Sequence, residues 1–104
     1  MQPELSSDYA LTAAQVAHYQ EKGWVLLRGL ATPSEVAAYR EVITRVTMEV
    51  AQRYKPLEER DTYGKAFLQV GNVWLRDEAA RGFTLARRFA KVAAELMAVE
   101  GVRL

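Results

Sequence analysis

The first regular pattern of apolar and polar positions follows a threonine near the N-terminus. Thr12 is followed three residues later by Gln15, which is the signature of a capping box at the start of a helix. Val16 and Tyr19 then recur at helical spacing, and Gly23 stands where helices commonly end. The pattern therefore predicts a first helix that begins after Thr12 and ends at Gly23.

A second and longer helix is predicted to start at Thr32. Thr32 can cap it, Pro33 suits the first helical position, and Glu35 completes another capping box. Apolar residues then recur at steps of three and four and form one stripe, made of Val36, Tyr39, Ile43, Val46, Val50 and Tyr54. Because Pro56 disfavours helical backbone at the preceding residue, we expect this helix to end near Lys55.

Short apolar runs predict strands outside these two helices. Trp24–Leu27 and Lys65–Val70 are rich in strand-forming residues and are bounded by glycines. Val102–Leu104 follows Gly101 and is predicted to begin a further extended element. The charged stretch 57–64 is predicted to be a loop.

Two more helices are predicted in the second half of the chain. Asp77 can cap a short helix over Glu78–Arg81, which Gly82 closes. Thr84 can cap a last helix, which we expect to end at Gly101. The apolar residues that this last helix is predicted to bury are Leu85, Phe89, Val92 and Leu96. The predicted fold class is therefore α+β, rich in helix, with two or three short strands.

Length and composition limit the organisation and the location. The 104 residues suffice for one small domain, predicted to span residues 11–104 after a flexible arm at 1–10. No apolar run approaches the roughly 20 residues needed to span a bilayer. The chain has no cysteine, so it cannot form disulfides. That composition fits the reducing cytoplasm, where we expect the protein to reside.

Charge gives no reason to expect a nucleic-acid partner. Lys and Arg total 14 against 13 Asp and Glu, so the chain lacks the basic excess that phosphate binding requires. A local basic cluster of Arg87, Arg88 and Lys91 is interpreted as a solvated helix face.

The sequence lacks the residues for a two-histidine iron site or a structural zinc site. His18 is the only histidine, whereas an iron site of two histidines and one carboxylate needs two imidazoles. A structural zinc site needs cysteines or several histidines. Ser6, Ser7 and Ser34 have no nearby histidine in sequence to activate them. We therefore assign no catalytic and no metal-binding residue to this chain.

Two amides stand out in the run from Phe67 to Trp74. Gln69 lies inside a hydrophobic segment, and Asn72 directly follows a glycine. A buried amide needs hydrogen-bond partners, and a bound polar ligand is one of them. The alternative is that Gln69 bonds to neighbouring backbone and that Asn72 caps a turn.

The order of these patterns resembles a known family. The capped helix, glycine and apolar run of residues 11–30 resemble the opening of phytanoyl-CoA dioxygenase-type proteins, and Thr32–Val36 matches the start of their second helix. Phe67–Gln69 with Asn72–Trp74 is similar to the strand before the last N-terminal helices of that family. Residues 85–104 resemble the helix that leads into the catalytic barrel.

The resemblance implies a non-haem oxygenase that uses Fe(II), 2-oxoglutarate and O₂ to hydroxylate a small or lipid-like substrate. It implies a double-stranded β-helix, or jelly roll, with helices outside, of which this chain is the N-terminal part. The iron ligands and the cosubstrate-anchoring arginine of the family match no residue here, so this chain alone is expected to be inactive and to hold neither cofactor stably. Gln69 and Asn72 match positions near 2-oxoglutarate, which makes them candidate cofactor-binding residues.

An alternative of a different class is a non-catalytic helical module that binds a protein partner. Its binding surface would be the apolar stripe of the second helix, between Val36 and Val50. Coverage of that stripe by the rest of the chain would favour the oxygenase interpretation. The sequence specifies neither the substrate nor the oligomeric state.

Overall fold

The computed structural model describes residues 2–104, which form five α-helices and two 3₁₀ turns. The helices are α1 (Ala13–Lys22), α2 (Pro33–Ala51), α3 (Thr62–Ala66), α4 (Glu78–Thr84) and α5 (Arg87–Met97). The 3₁₀ turns are Leu57–Glu59 and Val73–Leu75. None of the helices in this part of the chain is both long enough and apolar enough to cross a bilayer.

The starts of α1 and α2 confirm both predicted capping boxes. In α1 the Thr12 hydroxyl accepts from the Gln15 amide at 3.1 Å, and Gly23 ends the helix at φ 79°. In α2 the Glu35 amide donates to Thr32 Oγ1 at 3.2 Å, and the Glu35 carboxylate accepts from the Thr32 amide at 2.8 Å. Each helix therefore begins where a side chain satisfies its free backbone amides.

The prediction of an α+β fold is wrong, because residues 2–104 form no strand and no sheet. Trp24–Leu27 and Val102–Leu104 have no regular structure, and Lys65 lies in α3 rather than in the predicted strand Lys65–Val70. Helix α3 forms because Asp61 caps it, with Oδ1 accepting from the Gly64 amide at 2.7 Å. The other segments have strand-like composition, but a strand also needs a neighbour to pair with.

Four helix boundaries also differ from prediction. Helix α2 ends at Ala51 rather than near Lys55. The residues after Ala51 form hydrogen bonds to the carbonyl three residues earlier, such as that from the Tyr54 amide to the Ala51 oxygen at 3.0 Å. Asp77 caps α4 as predicted, but that helix continues through Gly82 to Thr84. Thr84 therefore cannot cap α5, which begins after Ala86 without a side-chain cap and ends at Met97.

Two small apolar clusters form the core. One contains Leu5, Tyr39 and Ala86, and the other contains Val42, Val46 and Ala80. Ile43 packs against both, so α2 joins the two clusters through a single side chain. The rings of Tyr39, Phe83 and Phe89 extend the first cluster, with successive centroids 5.2 and 5.1 Å apart.

The segment predicted as a flexible arm packs against the helices. Leu5 is 3% exposed, and its carbonyl accepts from the Arg88 amide at 3.0 Å. The Tyr39 hydroxyl donates to the Pro3 carbonyl. Burial of one leucine and these hydrogen bonds offset the entropy of ordering a short terminal segment.

The chain leaves an unusually large surface exposed for its mass. Its accessible surface is 7857 Å², whereas a compact monomer of 11.7 kDa exposes about 5,900 Å². Its radius of gyration is 16.9 Å, against about 13 Å for a compact domain of this length. Roughly 2,000 Å² more surface is thus exposed than in a compact fold of equal mass.

The first testable prediction concerns the second core cluster. We expect Val46→Ala to lower the free energy of unfolding by about 2 kcal/mol, because it removes two buried methyl groups and leaves a void. Met48→Ala is the matched control on the same helix: Met48 is 52% exposed, and its truncation should cost less than about 0.5 kcal/mol. Urea unfolding followed by circular dichroism measures both, and equal effects would contradict this description of the core.

Candidate functional site

Gln69, the first candidate from the sequence, lies in an exposed segment that follows α3. Two tyrosines hold it: the Tyr54 hydroxyl donates to the Gln69 backbone oxygen at 2.8 Å, and the Tyr63 hydroxyl donates to its Oε1. The Tyr63 ring also packs on Phe67, with centroids 5.1 Å apart. The bond from Tyr63 orients the carboxamide, and its NH₂ group, which makes no hydrogen bond within residues 2–104, is a donor open to a ligand.

Asn72, the second candidate, adopts the left-handed backbone conformation at φ 55° and ψ 43°. This conformation suits asparagine, and it starts the 3₁₀ turn Val73–Leu75, in which the Leu75 amide donates to the Asn72 oxygen at 3.0 Å. Its side chain makes no capping bond to that turn. The observed backbone role is that of a turn residue, as in the alternative given above. Gln69 and Asn72 share one exposed segment, and the structure adds Tyr54 and Tyr63 beside Gln69.

His18 lies beside Trp24 in a shallow cleft of about 320 Å³. The two rings meet edge to face, with centroids 4.7 Å apart and planes at 82°. Within residues 2–104 no three His, Cys, Asp or Glu side chains come together as a metal-binding group. The contact with Trp24 gives His18 a packing role.

Arg88 forms the most extensively bonded polar cluster in the described part of the chain. It lies on α5, is 6% exposed, and uses its guanidinium in five hydrogen bonds. Nε donates to the Ser7 oxygen at 2.9 Å and Nη2 to Ser7 Oγ at 2.7 Å. Nη1 donates to the Leu30 oxygen at 3.1 Å, and the two Nη atoms bind the Glu35 carboxylate at 2.8 and 2.9 Å.

This cluster connects four parts of the chain and has no donor left for a ligand. The guanidinium has five N–H groups, and the structure supplies five acceptors. The interpretation of Arg88 as a solvated helix residue is therefore wrong. The sequence did contain a sign of its burial. Arg88, Val92 and Leu96 follow one another at steps of four, which places Arg88 on the buried face of α5.

The same contacts determine the electrostatics of the cluster. The bonds from Arg88, and next the Thr32 amide, lower the pKa of Glu35 from 4.5 to about 2. The carboxylate in turn raises the pKa of Arg88. Glu35 thus takes part both in the capping box of α2 and in the ion pair with α5.

Comparisons of the chain with protein families, with curated proteins and with solved structures found no match. The family resemblance, and with it the role given to Gln69 and Asn72, therefore stays a prediction from the sequence.

The ion pair predicts a specific acid sensitivity. Between pH 4.5 and about 2 the unfolded chain protonates Glu35 while the folded chain keeps it ionised, so the unfolded state binds more protons. The stability from this pair is fully present above pH 4.5 and is lost as the pH falls toward 2. We expect Glu35→Gln to be less stable at neutral pH and to depend less on pH across this window.

The control is Glu41→Gln, which changes an exposed carboxylate on the same helix. Urea unfolding at a series of pH values compares the two variants with the unchanged chain. Some acid sensitivity should persist in Glu35→Gln, because ion-pair and backbone contacts also lower the pKa values of Asp8 and Asp77. A slope identical to that of the unchanged chain would show that Glu35 does not contribute.

Proposed function

We propose that this chain is the N-terminal helical part of a phytanoyl-CoA dioxygenase-type enzyme, an Fe(II)- and 2-oxoglutarate-dependent hydroxylase of a small or lipid-like substrate. The proposal rests on the resemblance, in which a capped helix, a glycine, an apolar run and a helix with proline at its first position follow in that order. The structure adds support at α1 and α2, whose caps fit that order. Trp24–Leu27, which the resemblance gives as a short strand between them, has no regular structure. We also propose that the enzyme works in the cytoplasm.

The iron chemistry of such an enzyme does not fit the residues of this chain. Its single imidazole, His18, lies against Trp24 and cannot supply the two that the family site needs. In the parent enzyme, bound iron would activate O₂, which is the oxidant, and 2-oxoglutarate would be the co-reductant. The contribution proposed for the chain described here is to help bind and orient the cosubstrate through Gln69.

The observation that carries this role is the setting of Gln69. Its side-chain oxygen is bonded to Tyr63, which fixes the carboxamide, and its NH₂ group remains as a donor. Phe67, 60% exposed, and Leu68, 46% exposed, precede it and leave apolar surface uncovered beside the donor. A hydrogen-bond donor beside uncovered apolar surface is suited to bind a carboxylate once a second structural unit packs there and excludes water.

The alternative of a partner-binding helix requires a free apolar stripe on α2. Tyr39 and Val46 on that stripe are buried by the chain itself, and Ile43 packs against both core clusters. Helix α4 and the Leu5 segment provide this cover. The middle of the stripe, from Tyr39 to Val46, is therefore core surface, whereas Val36 at its start is 38% exposed. The covered middle supports the oxygenase proposal over the partner-binding one.

The direct test of the proposed family is the coding region beyond the codon for Leu104. We expect it to encode a His-x-Asp motif, a distal histidine and a following arginine. Expression of that longer polypeptide should then give succinate from 2-oxoglutarate in the presence of Fe(II). A reading frame without the motif, or a longer product that neither binds 2-oxoglutarate nor forms succinate, would contradict the proposal.

Gln69 itself is tested by substitution in the longer polypeptide. We expect Gln69→Ala to weaken 2-oxoglutarate binding by about tenfold or more, since a hydrogen bond to a charged group contributes about 1.5–3 kcal/mol. Isothermal titration with 2-oxoglutarate measures the dissociation constant. Gln52→Ala is the matched control, because it removes an exposed glutamine at the end of α2. An unchanged affinity in Gln69→Ala would remove Gln69 from the cosubstrate site.

A further inference from the structure

An apolar groove runs between α5 and the segment that follows it, on a surface separate from Gln69. It has a volume of about 450 Å³, and its apolar lining includes Leu85, Phe89, Ala93, Val102 and Leu104. Leu104 is 77% exposed and Leu85 is 42% exposed. The groove is thus a surface on which large apolar side chains of the folded chain meet solvent.

The flank of this groove carries charges in a definite order along α5. Arg87 and Lys91 lie at one end and Glu95 and Glu100 at the other, around a neighbouring groove that shares Val102 with the first. Arg87, Lys91 and Glu95 are four residues apart and form one row on the helix. The basic end is at the helix N-terminus and the acidic end at the C-terminus, which is the order that the helix dipole disfavours.

Within residues 2–104 only the basic end of the row is paired. Asp8 contacts Lys91 at 2.7 Å and Arg87 at 3.4 Å, whereas Glu95 and Glu100 are exposed and form no ion pair. One carboxylate against two cations leaves the basic end net positive. A helix that packs antiparallel against α5 with the same order of charges would place its acidic end beside this basic end.

A second copy of this chain has that order of charges. Two copies related by a two-fold axis present the same patch to each other, so Arg87 and Lys91 of each face Glu95 and Glu100 of the other. The net charge of +1 opposes association only weakly. A standard interface buries about 800 Å² per partner. The chain as a whole exposes roughly 2,000 Å² more than a compact monomer, and the α5 groove is one of several faces that share this excess.

We infer that the chain forms a two-fold symmetric homodimer in which the two α5 helices pack antiparallel and the grooves lined by Leu85, Phe89 and Leu104 cover each other. This inference does not depend on the proposed oxygenase function. The dimer covers the apolar side chains that line the groove and pairs the acidic end of the charged row.

Sedimentation equilibrium of the 104-residue chain over a range of concentrations tests this inference. We expect a reversible approach to twice 11.7 kDa as the concentration rises. Leu85→Glu and Leu104→Glu should each raise the dimer dissociation constant by about tenfold or more, because each places a charge in an apolar contact. A mass of 11.7 kDa at every concentration would overturn the inference, because it would show that the chain does not associate with itself.

Two further variants distinguish this interface from non-specific association. Leu57→Glu changes a leucine that is 56% exposed and lies outside the groove, so it should leave the dissociation constant unchanged. Glu95→Lys should weaken the dimer at low salt, and added salt should reduce the difference. Circular dichroism confirms that each variant keeps its helices. Association that survives the groove substitutions, or that is insensitive to Glu95→Lys, would contradict the antiparallel arrangement.

Discussion

The arrangement of this chain depends on one guanidinium. Arg88 on α5 reaches the N-terminal segment through Ser7, the loop before α2 through Leu30, and the start of α2 through Glu35. A nearly buried charge is tolerated only when every donor has an acceptor, so these segments must all be in place together. With only small apolar clusters elsewhere, this polar junction determines how the two halves of the chain meet.

Local chemistry explains why the helix starts could be predicted. Each capping box is contained within four residues, from Thr12 to Gln15 and from Thr32 to Glu35, and needs nothing from the rest of the chain. The strand predictions failed because strand pairing is not local. Trp24–Leu27 has the composition of a strand, but no other segment within residues 2–104 pairs with it. Asp61 is a residue type that commonly caps helices. Helix α3 was nevertheless not predicted, because the charged stretch 57–64 indicated a loop.

The candidate site shows the same division between local and distant information. Gln69 could be singled out from sequence because an amide among apolar residues is visible in a window of eight. Its partner Tyr54 could not, since its hydroxyl meets Gln69 only once α2 ends early and the chain turns back. The helical spacing places Tyr54 on the predicted apolar stripe. Its ring carries a hydroxyl at the far end, however, and that hydroxyl bonds to Gln69. Arg88 was missed because a charged residue is ordinarily solvated, although its spacing from Val92 was that of a buried position.

The two uncovered surfaces have different chemistry, and that difference separates their proposed roles. At Gln69, an uncharged donor follows two exposed apolar residues, Phe67 and Leu68, which suits the proposed site that a second structural unit closes around a small carboxylate. Along α5, apolar residues are flanked by charges that are positive at one end and negative at the other. This arrangement suits an antiparallel copy of the same helix. Neither surface shares a residue with the other or with the Arg88 junction, whereas Phe89 belongs both to the α5 groove and to the first core cluster. Function in this chain is therefore expected at its exposed faces, while the buried polar cluster keeps those faces in position.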